Sequence, residues 1–113
     1  MNGTFELKDA SAGQFMFNLK GGNGEIIFTS ENYVAKAGAT NGIAAVRTNA
    51  PLDAHYIRKA STDKQHYFVL KAANGETLGR SEMYTSVSAL DRGIASVKAN
   101  APTAVVNDRT KQR

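Results

Sequence analysis

Six residues carry the chemistry this sequence offers most plainly: Met16, Asn18 and Lys20 in one stretch, and Tyr67, Val69 and Lys71 in another. Each trio alternates with apolar residues, Phe15, Phe17 and Leu19 in the first stretch and Phe68 and Leu70 in the second. A strand that buries the apolar set turns the trio to its opposite face. A sheet face with a ring, apolar side chains and lysines suits single-stranded nucleic acid, whose bases stack on rings while lysines meet phosphates. The same Met, Tyr and Val make an apolar patch suited to self-association or a protein partner. An ordinary solvated face is the third reading, and composition does not choose among the three.

The other candidate groups point away from catalysis. Glu25 and Glu76, and Glu31 and Glu82 beside Ser30 and Ser81, occur in pairs, but a two-carboxylate site needs its acids within about 5 to 10 Å. These glutamates flank turns and helix starts, where a solvated negative charge suits the helix dipole. His55 and His66 are the only histidines and come without further ligands at metal-binding spacing. His66, in phase with Phe68, reads as a partly buried, hydrogen-bonded side chain. Gly21-Gly22-Asn23-Gly24 lacks the Gly-Lys-Ser/Thr ending of a phosphate loop and reads as a hairpin turn. With no cysteine, disulfides, thiolate nucleophiles and Cys-ligated zinc are excluded. The expectation is a protein without catalytic residue, cofactor or metal, and not an enzyme.

The elements that must position the six residues are duplicated. Asn23-Gly24-Glu25 returns as Asn74-Gly75-Glu76, and 74 − 23 gives an offset of 51 residues. Without a gap, Lys8 falls on Lys59, Phe17 on Phe68, Leu19-Lys20 on Leu70-Lys71, Tyr33 on Tyr84, Gly42-Ile43-Ala44 on Gly93-Ile94-Ala95, and Asn49-Ala50-Pro51 on Asn100-Ala101-Pro102. Strands are expected over 4–8, 14–20 and 25–29, then a helix from about 34 to 49, and the same again from 54. The helix stripes are Ala39, Ile43, Val46, Ala50 and Val87, Leu90, Ile94, Val97, Ala101. Ser30 or Asn32 stands where a cap would. The three apolar residues Ile26, Ile27 and Phe28 point to a strand covered on both faces or locally irregular. In the strand at 54–59, Phe5 and Leu7 align with Tyr56 and Arg58, whereas apolarity favours Ile57. Gly42 and Gly93, costly inside a helix, point to a close approach of the helix to the sheet or to its twin. Residues 103–107, β-branched after Pro102, read as a closing strand.

These elements give an α+β fold: a pseudo-twofold tandem of β-β-β-α repeats forming one antiparallel sheet, with two helices packed on one face and a C-terminal closing strand. Repeats of about 3–53 and 54–108 would each be marginal alone without disulfides, so a single domain over 1–113 with a shared core is expected. Residues 109–113 read as a basic flexible tail. The net charge of +4 permits nucleic acid without requiring it. Neither a secretory signal nor a membrane-length apolar run is visible, which points to the cytoplasm and away from a membrane.

The pattern Gln-Phe-Met-Phe-Asn-Leu-Lys, Asn-Gly-Glu, Ser-Glu-Asn-Tyr and Asn-Gly-Ile-Ala-Ala-Val-Arg-Thr-Asn-Ala, repeated once, resembles the YegP-like family of small bacterial and archaeal proteins of unknown function. The likeness covers residues 3 to 108. It implies one antiparallel sheet built from two repeats, with the strands after the helices exchanged between halves, and it implies no activity. The functional expectation is a small binding or interaction module of unknown partner acting through Met16, Asn18, Lys20, Tyr67, Val69 and Lys71. The alternatives are a single-stranded nucleic-acid binder on that face, and an enzyme with a site at the pseudo-twofold axis.

Overall fold

The computed structural model describes residues 3–111. It contains β1 (Thr4–Asp9), β2 (Phe15–Lys20), β3 (Ile26–Ser30), α1 (Lys36–Asn49), β4 (Tyr56–Ala60), β5 (His66–Lys71), β6 (Thr77–Arg80), α2 (Val87–Asn100) and β7 (Val105–Asp108). The strands form one seven-stranded sheet in the order β4-β5-β6-β3-β2-β1-β7. The expected all-antiparallel sheet is corrected here: β7 runs parallel to β1, so the sheet is mixed. The place beside β2 is already taken by β1, and the strand leaving α2 therefore lies outside it.

Alternation puts Phe5, Leu7, Phe17, Leu19, Phe68 and Leu70 on one side, where they join Ile43 and Val46 of α1 and Leu90, Ile94 and Val97 of α2 in a single hydrophobic cluster. Phe5 and Phe17 meet edge-on, with ring centroids 5.7 Å apart. Each such ring or branched chain removed from water contributes about 1.5 to 3 kcal/mol. Tyr56 is 6% exposed and Ile57 39%, so β4 takes the register of Phe5 and Leu7. The Tyr56 hydroxyl repays its burial by donating to the Ala50 carbonyl at 2.6 Å. Val87, counted in the α2 stripe, is instead exposed; it is the first residue of its helix.

The apolar run in β3 is a bulge. Pairing shifts between Leu19 and Lys20, leaving Ile27 unopposed, and shifts again at the twin position between Leu70 and Lys71, leaving Leu78 unopposed. A bulge lets neighbouring residues share a face, and Ile27 and Leu78 both pack toward the core. Ser30 is no helix cap. Its hydroxyl accepts from the Phe17 amide and donates to the Glu31 carbonyl, both at 2.8 Å, and Ser81 does the same for Phe68 and Glu82. The cap of α2 is Ser86, whose hydroxyl accepts from the Ala89 amide. Gly42 and Gly93 do lie against something close: the ring of Tyr33 or Tyr84 from their own repeat and, for Gly42, also Phe17 of the sheet, but not the twin helix.

Arg109 and Lys111, placed by the sequence in a flexible tail, are tied to β1. The Arg109 amide donates to the Leu7 carbonyl at 2.7 Å and the Lys111 amide to Asp9 at 2.8 Å. Gln112 and Arg113 lie outside the described residues. All four β7 residues are exposed, so β7 is held by its ladder and by ion pairs more than by burial. Lys36 bonds Asp108 at 2.6 Å and, with Thr110, holds that carboxyl down to about 2. A carboxyl with a depressed folded-state pKa contributes stability that is complete above its ordinary value and is lost as pH falls through the depressed one. Lowering the pH from about 4 to about 2 is therefore expected to release β7: amide-exchange protection at Val105 to Arg109 falls while Phe17 and Phe68 stay protected. Protection lost everywhere together would contradict this.

Candidate interaction surface

The sheet face turned away from the hydrophobic cluster is assembled by register. One row crosses all seven strands: Ile57, Val69, Arg80, Thr29, Asn18, Glu6 and Asn107. Lys59 opposes Tyr67 on one flank, and Lys8 opposes Met16 on the other. Lys20 and Lys71 extend the alternation at the far ends of β2 and β5.

The six expected residues all lie on this face but are not equally available. Asn18 and Val69 are buried, at 4% and 8% exposure, whereas Met16, Lys20, Tyr67 and Lys71 are half-buried. Asn18 spends its amide on the Thr29 hydroxyl at 3.0 Å. The row therefore presents little apolar surface at its centre, and long flanking side chains dominate the face.

The two halves differ electrostatically. In the first, Glu6 is 8% exposed and gathers Lys8 and Lys20, each at 3.3 Å, and Arg109 at 3.5 Å. Burial pushes the Glu6 carboxyl up, but the hydrogen bonds and charges of Lys20 and Lys8 outweigh it and hold the group below its ordinary value. With Asp9 these residues line an open depression of about 480 Å³. In the second half the twin of Glu6 is Ile57, so the carboxylate that gathers the cations of the first half has no counterpart there, while Glu82 and Glu31 line depressions beside Arg80 at the junction of the repeats. Among the described residues, Lys59, Lys71 and Arg80 enter no ion pair; Lys59 stands opposite Tyr67, Arg80 opposite Val69, and Lys71 four residues along β5 from the ring. Sequence reasoning missed Glu6, Lys8, Lys59 and Arg80. The repeat of Lys8 as Lys59 carried that signal; Arg80 did not, because the bulge at Leu78 breaks the alternation that would have placed it.

Of the remaining candidates, Ser30 with Glu31 and Ser81 with Glu82 line two depressions that share Thr29 and Arg80. Glu25, Glu31, Glu76 and Glu82 are exposed. His55 Nδ1 lies 2.6 Å from the Asn49 side-chain oxygen, and His66 exchanges backbone hydrogen bonds with Tyr84. No group of three His, Cys, Asp or Glu that could hold a metal occurs among the described residues. No described helix is long and apolar enough to cross a membrane.

Comparison with known proteins finds the same duplication. The model of a family described as a domain of unknown function (DUF1508) matches twice, at residues 10–56 and 61–108. A UPF0339 protein of Bordetella pertussis is 56% identical over 111 residues, covering 98% of this chain and 99% of that one. The UPF0339 protein YegP of Escherichia coli O157:H7 is 49% identical over 110 residues, covering 97% and 100%. The solution NMR structure of the protein of unknown function yegP from E. coli superposes with a TM-score of 0.93 at 47% identity, covering 100% of this chain and 97% of that one. That of a UPF0339 protein from Shewanella oneidensis gives 0.92 at 47%, covering 100% and 96%.

Proposed function

The chain belongs to the DUF1508 family, whose function is not established, and we propose that it is a non-enzymatic binding module whose sheet face takes single-stranded nucleic acid. The observation that carries this reading is the second half of the face, where Lys59 stands opposite the Tyr67 ring, Arg80 and Lys71 lie further along, and none of the three enters an ion pair among the described residues. Bases stack on the ring and phosphates meet the cations, an arrangement tolerant of sequence. The self-association reading loses ground because Val69, the centre of the apolar patch, is buried under its neighbours. The module is a single cytoplasmic domain of two repeats related by a pseudo-twofold axis between β3 and β6. Thr29 pairs there with Arg80, its own twin at the offset of 51, as an axis between them requires.

Tyr67→Ala is expected to weaken binding of a short single-stranded oligonucleotide by about 1 to 3 kcal/mol, the range for one stacked base. Lys71→Ala should weaken it on every sequence and reduce the slope of log K against log salt by about 1. Fluorescence anisotropy over a salt series reads both. Affinity unchanged by either variant would sink the proposal.

A further inference from the structure

The two edges of the sheet are built from twin strands but finish differently. On one side β7 lies along β1, with the Gly3 carbonyl accepting from the Val105 amide at 3.2 Å and the Leu7 carbonyl from the Arg109 amide at 2.7 Å. On the other, β4 pairs only with β5. Tyr56 and Arg58, the twins of Phe5 and Leu7, thus turn their backbone groups outward along an edge that carries no strand among the described residues.

The surroundings of the two edges are twinned as well. Arg47 lies over the Phe5 ring at 5.1 Å, and its twin Lys98 over the Tyr56 ring at 5.8 Å. Along the covered edge, Val106 sits beside Phe5, and Asp108 sits beside Leu7 and reaches Lys36. Along the open edge, Tyr56, Arg58 and Val87 occupy the places of Phe5, Leu7 and Lys36. A carboxylate arriving as Asp108 does would meet its cation in Arg58 instead, and the incoming strand would cover Ile57 and Val87, now 39% and 54% exposed. Arg58 already pairs with Asp91 at 2.7 Å, but both side chains are more than half exposed. Such a pair contributes little, and a guanidinium has donors to spare.

From this match we propose that the outer edge of β4 takes a parallel β-strand from a partner protein: an extended segment bearing an apolar residue two positions before an Asp or Glu. Backbone ladders of this kind give affinity, while alternate side chains give selectivity. A second copy of the chain is the poorer occupant. Two β4 edges laid together would bring the adjacent cations Arg58 and Lys59 of each copy against the other's, and like charges opposed across strands are destabilising.

The probe is a capped peptide of sequence Ala-Val-Val-Asn-Asp, that of residues 104–108, titrated into the full chain and followed by amide NMR. Saturable shifts and slowed exchange centred on Tyr56 to Ala60 are expected, with binding at least tenfold weaker for a peptide ending in Lys. Arg58→Pro removes an outward-facing N–H, which an edge strand tolerates, and should abolish binding while leaving the shifts of β2 and β5 in place. Should that variant unfold, Arg58→Glu is expected to weaken the acidic peptide at least tenfold. The proposal is overturned by the absence of shifts on β4, or by equal binding of the Lys peptide. It is likewise overturned if the peptide displaces β7 from β1, or if β4 is shielded only as the chain dimerises.

Discussion

Gly79→Ala is expected to destabilise the protein by about 3 kcal/mol, the upper end of the range for overpacking a core. A Cβ at Gly79 would lie 2.6 Å from the Phe28 ring and closer still to the Thr29 carbonyl. Phe28 and Gly79 are twin positions in the two repeats, and Phe28 is fully buried. Where β3 meets β6, one repeat supplies a ring and the other the space above which the ring lies. Two phenylalanines would not fit there. In thermal unfolding the variant should lose roughly 10 °C or more. Phe28→Leu in the Gly79→Ala background should cost less than the sum of the two single changes, since the pair shares one volume. A Gly79→Ala variant within about 0.5 kcal/mol of the parent would show that the junction of the repeats is not packed as described.

Gly93→Ala reverses the ordinary sign of its substitution. Inside a helix that change normally stabilises by up to about 1 kcal/mol, because glycine is the more flexible residue when unfolded. Here the new methyl would come within 2.6 Å of Tyr84 Cζ and closer to the hydroxyl oxygen. Burial and the Glu82 charge raise the pKa of that hydroxyl, so the group in the way is a neutral phenol. A loss of about 2 kcal/mol is expected, and Tyr84→Phe, which removes the nearest atom, should recover part of it. Gly42 faces Tyr33 in the same manner, with Tyr33 Cζ at 2.8 Å and Phe17 at 3.1 Å. Chemical denaturation checks the sign directly: Gly93→Ala more stable than the parent would mean that Tyr84 yields freely.

These glycines also show how far the sequence could be read. The identical glycine in both copies announced a close approach, because only packing explains a twice-repeated poor helix former. Its neighbour was not legible, since a tyrosine nine residues earlier folds back over the helix only in three dimensions. Alternation and the offset of 51 placed the strands, the helix stripes and the face that bears Met16, Lys20, Tyr67 and Lys71, all being local periodicities. What alternation could not convey was non-local. The pairing of β7 with β1, the burial of Asn18 and Val69, and the capture of Lys8, Lys20 and Arg109 by Glu6 depend on neighbouring strands that no spacing reveals. Comparing twins position by position carries more information than either copy alone. Glu6 against Ile57, Phe28 against Gly79 and Lys36 against Val87 are the places where the duplication has diverged, and they govern the surface charge, the junction and the free edge.

On this proposal the second half of the sheet face binds single-stranded nucleic acid. A backbone-amide NMR titration with a short single-stranded RNA, run near 0.02 M and near 0.15 M salt so that screening separates site binding from loose attraction, tests it most directly. Saturable shifts on Lys59, Tyr67, Val69, Lys71 and Arg80 that persist at the higher salt are the predicted result. Shifts confined to the basic residues after Asp108, or shifts that vanish at the higher salt, would contradict it.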